Sequence, residues 1–154
     1  MLCFRETTIG RIGIEERDGC IVGLWLPSQK ESPSEGEETP LLREAFAQLE
    51  AYLAGRRRAF DLPLKPEGTP FMQKVWRALC SIPYGKTASY KAIAEAIGNP
   101  KACRAVGMAN NRNPISIFIP CHRIIGSNGT LVGYGGGLDM KQTLLELERR
   151  HASA

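Results

Sequence analysis

Histidine is scarce in this chain, and cysteine pairs are absent from it. The only histidines among the 154 residues are His122 and His151. The five cysteines are scattered, with no CxxC pair among them: Cys3, Cys20, Cys80, Cys103 and Cys121. An odd, scattered set fits neither a disulfide framework nor a zinc knuckle. We therefore expect reduced thiols, no metal and no cofactor.

Long apolar runs are also missing. No stretch approaches the roughly 20 apolar residues that cross a membrane, and the opening MLCFRETTIG has no basic segment leading into an apolar run. We expect a cytoplasmic protein. Its hydrophobic content of 43% over 154 residues suffices for one globular domain or for two small lobes.

Acidic residues are nearly absent from residues 70–138. The segment holds one acid, Glu95, and eight basic residues: Lys74, Arg77, Lys86, Lys91, Lys101, Arg104, Arg112 and Arg123. Its net charge is therefore +7, against −3 for the remainder and +4 overall. A solvated basic face is one interpretation. Neutralisation of phosphates by a nucleic-acid-binding face is the other.

The first part of the chain shows the pattern of a small α/β lobe. Residues 2–26 predict three strands, the last two joined by Asp18-Gly19, a dipeptide suited to the positive φ angles of a tight hairpin. Residues 27–40 are polar and acidic, which predicts a surface loop.

A helix is predicted to follow this loop. It opens at Thr39-Pro40 and ends at Gly55. One face carries its apolar residues: Leu42, Phe46, Leu49 and Leu53. We expect a further short strand over residues 59–64 and a linker over residues 65–69.

The second part predicts a helix-turn-helix. Thr69-Pro70 opens a first helix, and Ser89 and Gly98 bound a short second one. Asn99-Pro100 is predicted to cap and start the next helix. This helix carries small residues that would let its backbone come close to a groove: Ala102, Ala105, Gly107 and Ala109. Two such helices fit plain core packing or a DNA-binding pair, and the basic imbalance favours the second interpretation.

The C-terminal region predicts two more features. Ser127-Asn128-Gly129 is suited to a hairpin turn, which would form a wing, and a glycine-rich loop follows over residues 133–137. Asp139 with Gln142 resembles a capping arrangement for a last helix. That helix would bury three leucines: Leu144, Leu145 and Leu147.

Between these regions, the stretch PISIFIPCHRIIG places a cysteine after an apolar run. Ile115, Ile117 and Ile119 alternate with other residues, which predicts a short strand ended by Pro120 that holds Cys121 rigidly. An ordinary thiol has a pKa of about 8.5, so a nucleophilic role needs a base or a cation nearby. His122 and Arg123 are the adjacent candidates. A buried structural cysteine is the alternative.

Several motifs in order resemble one family. IPCHRIIGSNGTLVGYGGGLDMKQTLLELE, preceded by SIPYGKTASYKAIAEAIGNPKACRAVGMANNRNP, is similar to the O6-alkylguanine-DNA alkyltransferases, also called methylated-DNA-protein-cysteine methyltransferases. The PCHR motif, the SY before a helix, the RAVG helix and the NP before the apolar run have the family's order and spacing. The close resemblance covers roughly residues 68–150.

The resemblance implies a fold, a boundary and an activity. It implies a ribonuclease-H-like α/β domain over residues 1–66, a small antiparallel sheet plus a helix. A mostly α winged helix-turn-helix domain would follow over residues 67–154. The activity is direct reversal of DNA damage by irreversible, single-turnover alkyl transfer from O6-alkylguanine, after base flipping from the minor groove. O4-alkylthymine stays open as a second substrate.

The resemblance also implies catalytic roles. Cys121 is the alkyl acceptor, and His122 is its base through a water, oriented by the carboxylate of Glu148. Tyr90 helps to turn out the nucleotide and donates a proton to the leaving guanine. Asn113 braces the active-site loop.

Further residues are implied in binding. Arg104 is the finger that enters the base stack. The other implied DNA contacts are Tyr90, Ser89, Lys101, Arg123 and Ala105. The implied base pocket is lined by Ile124, Tyr134, Gly135 and Gly136. The partner is double-stranded DNA with an alkylated guanine, bound by a monomer, and cooperative binding stays open.

Two other readings of the sequence compete with alkyl transfer. A non-catalytic alkyltransferase-like protein would recognise damaged DNA without transferring anything, but such proteins replace the cysteine of PCHR, which is present here as Cys121. A cysteine hydrolase or thiol redox enzyme would use Cys121 and His122. It would leave the helix-turn-helix and the charge imbalance unexplained.

Overall fold

The computed structural model describes residues 1–27, 29, 32–131 and 133–152. The chain forms two compact units: residues 1–66 with 114–118, and residues 67–113 with 119–154. Residues 114–118, which the predicted boundaries place in the C-terminal domain, thus cluster with the first unit. The functional division at residue 66 stays a prediction. No helix in the described part of the chain is long and apolar enough to cross a membrane.

The first unit is built on a three-stranded antiparallel sheet. Its strands are β1 (Leu2–Thr7), β2 (Gly10–Arg17) and β3 (Cys20–Trp25), in the order β1-β2-β3. Asp18 and Gly19 join the last two strands with φ angles of 53° and 79°, the positive values that a tight hairpin with the strands' own twist requires. The three predicted strands and their hairpin are confirmed.

Helix α1 (Pro40–Leu53) packs in this unit as predicted. The Thr39 hydroxyl accepts a hydrogen bond from the Leu42 backbone N–H at 3.1 Å, and the proline fills the first helical position, where no N–H is needed. The predicted apolar face is buried. The predicted strand over 59–64 is wrong: only Leu64 makes a bridge, to Ile21. The predicted surface loop lies partly outside the described residues.

The predicted strand before Cys121 is also wrong. Residues 115–119 form isolated bridges and a turn instead of a continuous strand: Ile115 bridges to Leu24 of β3, and Ser116 and Ile119 are single bridge residues. Ile117 has a φ of +73°, and the Phe118 N–H donates to the Ser116 carbonyl at 2.9 Å, so the chain turns here instead of continuing. A β-branched residue rarely adopts this conformation. The alternation of apolar residues in the sequence could not predict this turn.

The second unit is mostly helical. Its helices are α2 (Pro70–Cys80), α3 (Tyr90–Ala96), α4 (Cys103–Asn111) and α5 (Leu138–Ala152). Thr69 and Ser89 cap α2 and α3 through their hydroxyl oxygens, as predicted. Two short strands, β4 (Ala88–Ser89) and β5 (Ile124–Ile125), pair in parallel.

Two predicted helix starts need correction. Helix α4 begins at Cys103 rather than at Pro100, because the Ala102 N–H bonds the Asn99 carbonyl at 3.0 Å in a turn that precedes the helix. Helix α5 begins at Leu138. The predicted cap residue Asp139 therefore lies inside its first turn, and the Gln142 side chain bonds Glu146 instead of capping.

Candidate active site

Cys121 opens a 3₁₀ turn, Cys121–Arg123, and is only 3% exposed. Its backbone is held from both sides. The Cys121 N–H donates to the Ile119 carbonyl at 2.8 Å, and that carbonyl also accepts from Asn113 Nδ2 at 2.8 Å. The Cys121 carbonyl accepts a longer bond, 3.4 Å, from Asn110 Nδ2 of α4. Two amide side chains, Asn110 in α4 and Asn113 just after it, therefore hold the turn that carries the thiol.

The next two residues share one buried carboxylate. His122 Nε2 lies 2.6 Å from Glu148 Oε2. Arg123 donates to both carboxylate oxygens, from Nε at 2.8 Å and from Nη2 at 3.0 Å. The Gly85 N–H adds a bond of 3.2 Å. A carboxylate that accepts this many bonds is fixed in position, and it fixes the imidazole in turn.

Burial and charge keep His122 neutral. The pKa of His122 lies below its ordinary value because burial disfavours the imidazolium, and Glu148 only partly offsets this. The ammonium of Lys141 and the guanidinium of Arg123 lower it further. A neutral ring with Glu148 at Nε2 carries its hydrogen on Nε2, which leaves the lone pair of Nδ1 as the basic site.

Tyr90 lies at the start of α3, beside an open cleft of about 600 Å³. The cleft is lined by residues of α3, α4 and the turn after β5: Tyr90, Lys91, Cys103, Gly126, Ser127, Asn128 and Thr130. The pKa of Tyr90 is raised, first by burial and then by the charge of Cys121. Its phenol therefore stays protonated at neutral pH and holds its proton more tightly than an ordinary tyrosine.

The outer face of α4 carries positive charge and mixes small with long side chains. Arg104, Ala105 and Met108 are exposed, and Lys101 is exposed in the turn before the helix. Of the eight basic residues between 70 and 138, all but Arg123 are exposed. Ser89 is half-buried as the cap of α3.

The structure corrects one predicted DNA contact. Arg123 is 6% exposed, and besides Glu148 it donates from Nη1 to the Ile82 carbonyl at 2.7 Å. Because this buried guanidinium already donates to Glu148 and to Ile82, it is not available to bind a phosphate. Its place in the interior fits a bracing role.

The implied base pocket stays a prediction. Ile124 is buried, Tyr134 and Gly136 are half-buried, and Gly135 is exposed. None of these four is among the residues that line the cleft beside Tyr90. Within the described ranges, no group of three His, Cys, Asp or Glu side chains could hold a metal ion. The expected absence of a metal likewise stays a prediction.

Two buried polar residues near the thiol escaped the sequence analysis. Asn110 is 2% exposed and Lys141 is fully buried. Lys141 shares its helical face with Leu144, Leu145 and Glu148 at spacings of three, four and seven residues, so periodicity could have shown it to face inward. No comparable signal marks Asn110, because an asparagine near the end of a helix is expected to be exposed.

Both parts of the chain match one protein family. Residues 4–66 match the family model described as "6-O-methylguanine DNA methyltransferase, ribonuclease-like domain". Residues 70–150 match "6-O-methylguanine DNA methyltransferase, DNA binding domain". The fold agrees with this pairing, since a small sheet with a helix precedes a mostly helical unit.

Whole-chain relatives give the same result. The chain is 50% identical to a methylated-DNA–protein-cysteine methyltransferase of Mycolicibacterium paratuberculosis, over 97% of this chain and 92% of that protein. It is also 50% identical to the constitutive one of Bacillus subtilis, over 94% and 92%. A crystal structure of Mycobacterium tuberculosis OGT in complex with DNA matches with a TM-score of 0.89 and 43% identity, over 97% of this chain and 93% of that one. The chain belongs to the 6-O-methylguanine DNA methyltransferase family.

Proposed function

We propose that the protein repairs double-stranded DNA by transferring the alkyl group of O6-alkylguanine to Cys121. One observation carries the proposal: a buried thiol stands next to a neutral histidine whose ring is fixed by the carboxylate of Glu148. The names of the relatives support it, since proteins 50% identical over nearly the whole chain are methylated-DNA–protein-cysteine methyltransferases.

The transfer is a displacement at the alkyl carbon. His122 takes the thiol proton through a water, and the thiolate of Cys121 then forms a C–S bond as the C–O6 bond breaks. The electron pair of the broken bond leaves with the guanine, which gains a proton from Tyr90. The place of Tyr90 beside the open cleft supports this role, and its phenol is protonated at neutral pH, although its raised pKa makes it a weaker acid.

DNA binding is assigned to α4 and the basic surface. The exposed Arg104 is suited to enter the stack when the damaged base turns out, and Ala105 lets the helix approach the groove. Ser89 and Lys101 are proposed phosphate contacts. The homologous M. tuberculosis protein was crystallised in complex with DNA, which supports DNA as the partner.

The stoichiometry follows from the product. The thioether on Cys121 is a poor leaving group, so each molecule acts once as a consumed reagent. We further propose that the protein acts as a monomer in the cytoplasm.

Mass spectrometry tests the transfer directly. After mixing with an equimolar duplex that contains one O6-methylguanine, we expect the protein to gain one methylene on the Cys121 peptide. Cys121→Ala should gain nothing, and Cys80→Ala, which alters an exposed cysteine, should react like the wild type. Tight binding of the duplex without a mass gain would instead identify a damage-recognition protein.

The role of α4 is tested separately. Arg104→Ala should weaken binding of the duplex and slow transfer at limiting DNA by about tenfold, because a side chain that offsets unstacking is lost. Arg150→Ala is the matched control, since Arg150 is an exposed arginine at the far end of α5. Equal affinities of the two variants, measured by fluorescence anisotropy, would remove Arg104 from the interface.

A further inference from the structure

Asn110 has a hydrogen-bonding group that the described residues leave unused. The side chain is 2% exposed on α4, and its Nδ2 donates to the Cys121 carbonyl. Among the described residues, none hydrogen-bonds its Oδ1. An unsatisfied buried acceptor costs free energy, so such groups are rare without a reason.

The orientation of this amide follows from its neighbour. A carbonyl oxygen only accepts hydrogen bonds, so Nδ2 must face the Cys121 carbonyl and Oδ1 must face away from it. Exchanging the two atoms would set oxygen against oxygen. The unused atom is therefore an acceptor that requires a donor.

A second unused atom belongs to the residue after Cys121. His122 is fully buried, and its Nδ1 has no hydrogen-bond partner among the described residues. Because Nε2 carries the hydrogen toward Glu148, Nδ1 is also an acceptor that requires a donor. Both acceptors thus flank the single peptide that joins Cys121 to His122.

We propose that Asn110 is a positioning residue that holds the water through which His122 deprotonates Cys121. The water donates one hydrogen to His122 Nδ1 and the other to Asn110 Oδ1, and its oxygen accepts from the thiol. A buried water makes about three hydrogen bonds, which these groups supply. The inference rests on the proposed function, since the relay serves alkyl transfer.

The proton balance of the relay is complete. The thiol proton moves to the water as a water proton moves to Nδ1, which yields a thiolate, a water and an imidazolium. Asn110 neither gains nor loses a proton. It fixes the water's second hydrogen, so that the first points at Nδ1 and a lone pair of the oxygen points at the thiol.

Other charged groups surround the relay and set its pH range. Tyr90 of α3 and Lys141 of α5 interact electrostatically with Cys121. Glu148 of α5 and Arg123 of the 3₁₀ turn act on His122. All four remain in an Asn110 variant, so a change in the pH profile of that variant reports on the relay.

The experiment compares Asn110→Leu with the wild type between pH 6 and pH 10. Two rates at Cys121 are followed by peptide mapping: transfer from an O6-methylguanine duplex at saturating protein, and reaction with iodoacetamide without DNA. We expect both rates to fall about tenfold at pH 7, the effect of one well-placed hydrogen bond. The deficit should close towards pH 10, where hydroxide replaces the relay. Gln142→Leu, at an exposed amide of α5, should stay within about twofold of the wild type.

Two outcomes would overturn the inference. One is an Asn110→Leu profile that superimposes on the wild type. The other is an equal loss at every pH, which would show a packing defect. If Asn110→Leu melts below the assay temperature, Asn110→Ser is judged by the same criteria. Wild-type protein that fails to transfer the methyl group defeats the proposed function, whereas the iodoacetamide profiles still decide the role of Asn110.

Discussion

The two units bury different kinds of side chains. In the first, the buried polar side chains of the described residues are Gln48 and Ser116, both uncharged. In the second, five polar side chains are buried: Asn110, His122, Arg123, Lys141 and Glu148. The charged pairs of Arg5 in the first unit stay about a third exposed.

The difference in buried side chains shows that the two units are stabilised in different ways. Buried charges lose their hydration, and their mutual attraction often fails to repay it. The first unit avoids this cost with an apolar core. The second unit bears this cost beside Cys121, where Glu148 bonds both the His122 imidazole and the Arg123 guanidinium and fixes their positions. Weakening the buried cluster should therefore change both stability and transfer.

Removing the charge of Glu148 should have the largest effect. In Glu148→Gln, the buried Arg123 loses its counter-charge and His122 loses the carboxylate that orients it. We expect the free energy of unfolding to fall by about 3 kcal/mol and the transfer rate to fall about 10²-fold. Urea unfolding and single-turnover transfer measure the two quantities.

The control for this variant lies on the same helix. Glu146 is exposed two residues earlier and accepts a hydrogen bond from the Gln142 side chain on the helix surface. Glu146→Gln should change stability by less than about 0.5 kcal/mol and leave transfer unaltered. Similar losses in both variants would mean that the buried cluster is no more important than the helix surface.

Replacing Lys141 should stabilise the protein while slowing the reaction. Burial lowers the pKa of Lys141 to about 8, with the charge of Cys121 opposing the shift. Lys141→Met removes the buried ammonium, so we expect a gain of about 1–3 kcal/mol at pH 7. Transfer should slow about tenfold, because the thiolate loses a nearby cation.

The lowered pKa of Lys141 determines how the stability of the protein changes with pH. The unfolded chain keeps the Lys141 proton up to a pH of about 10.5, whereas the folded chain releases it near 8. Wild-type stability therefore gains from this group as the pH rises from 8 to 10.5. The advantage of Lys141→Met should shrink over that range, whereas Lys65→Met, at an exposed lysine, should show no such trend. A constant advantage would contradict the assignment.

Sequence was a good guide where structure is local. The caps at Thr69 and Ser89 were predictable because a hydroxyl reaches an N–H three residues on. The hairpin at Asp18-Gly19 was predictable for a similar reason. The resemblance named Cys121, His122 and Glu148 as catalytic residues, roles that stay predictions, and the structure places Glu148 Oε2 2.6 Å from His122 Nε2.

Sequence failed where distant contacts decide the conformation. The φ of +73° at Ile117 opposes the preference of a β-branched residue, so packing in the first unit must impose it. The burial of Arg123 depends on meeting Glu148 and the Ile82 carbonyl, which are distant in sequence. A basic residue beside the nucleophile otherwise suggests a DNA contact.

The smallest effect is expected in the first unit. Arg5 bonds Glu38 at 2.6 Å and Glu50 at 2.7 Å, but its side chain is 34% exposed and that of Glu50 is 44% exposed. Solvent screens such pairs, so Arg5→Met should lower the free energy of unfolding by less than about 1 kcal/mol and leave the transfer rate unchanged. Arg43→Met, at an exposed arginine of α1, is the control. A loss in Arg5→Met as large as that in Glu148→Gln would show that the first unit depends on its charges as much as the second.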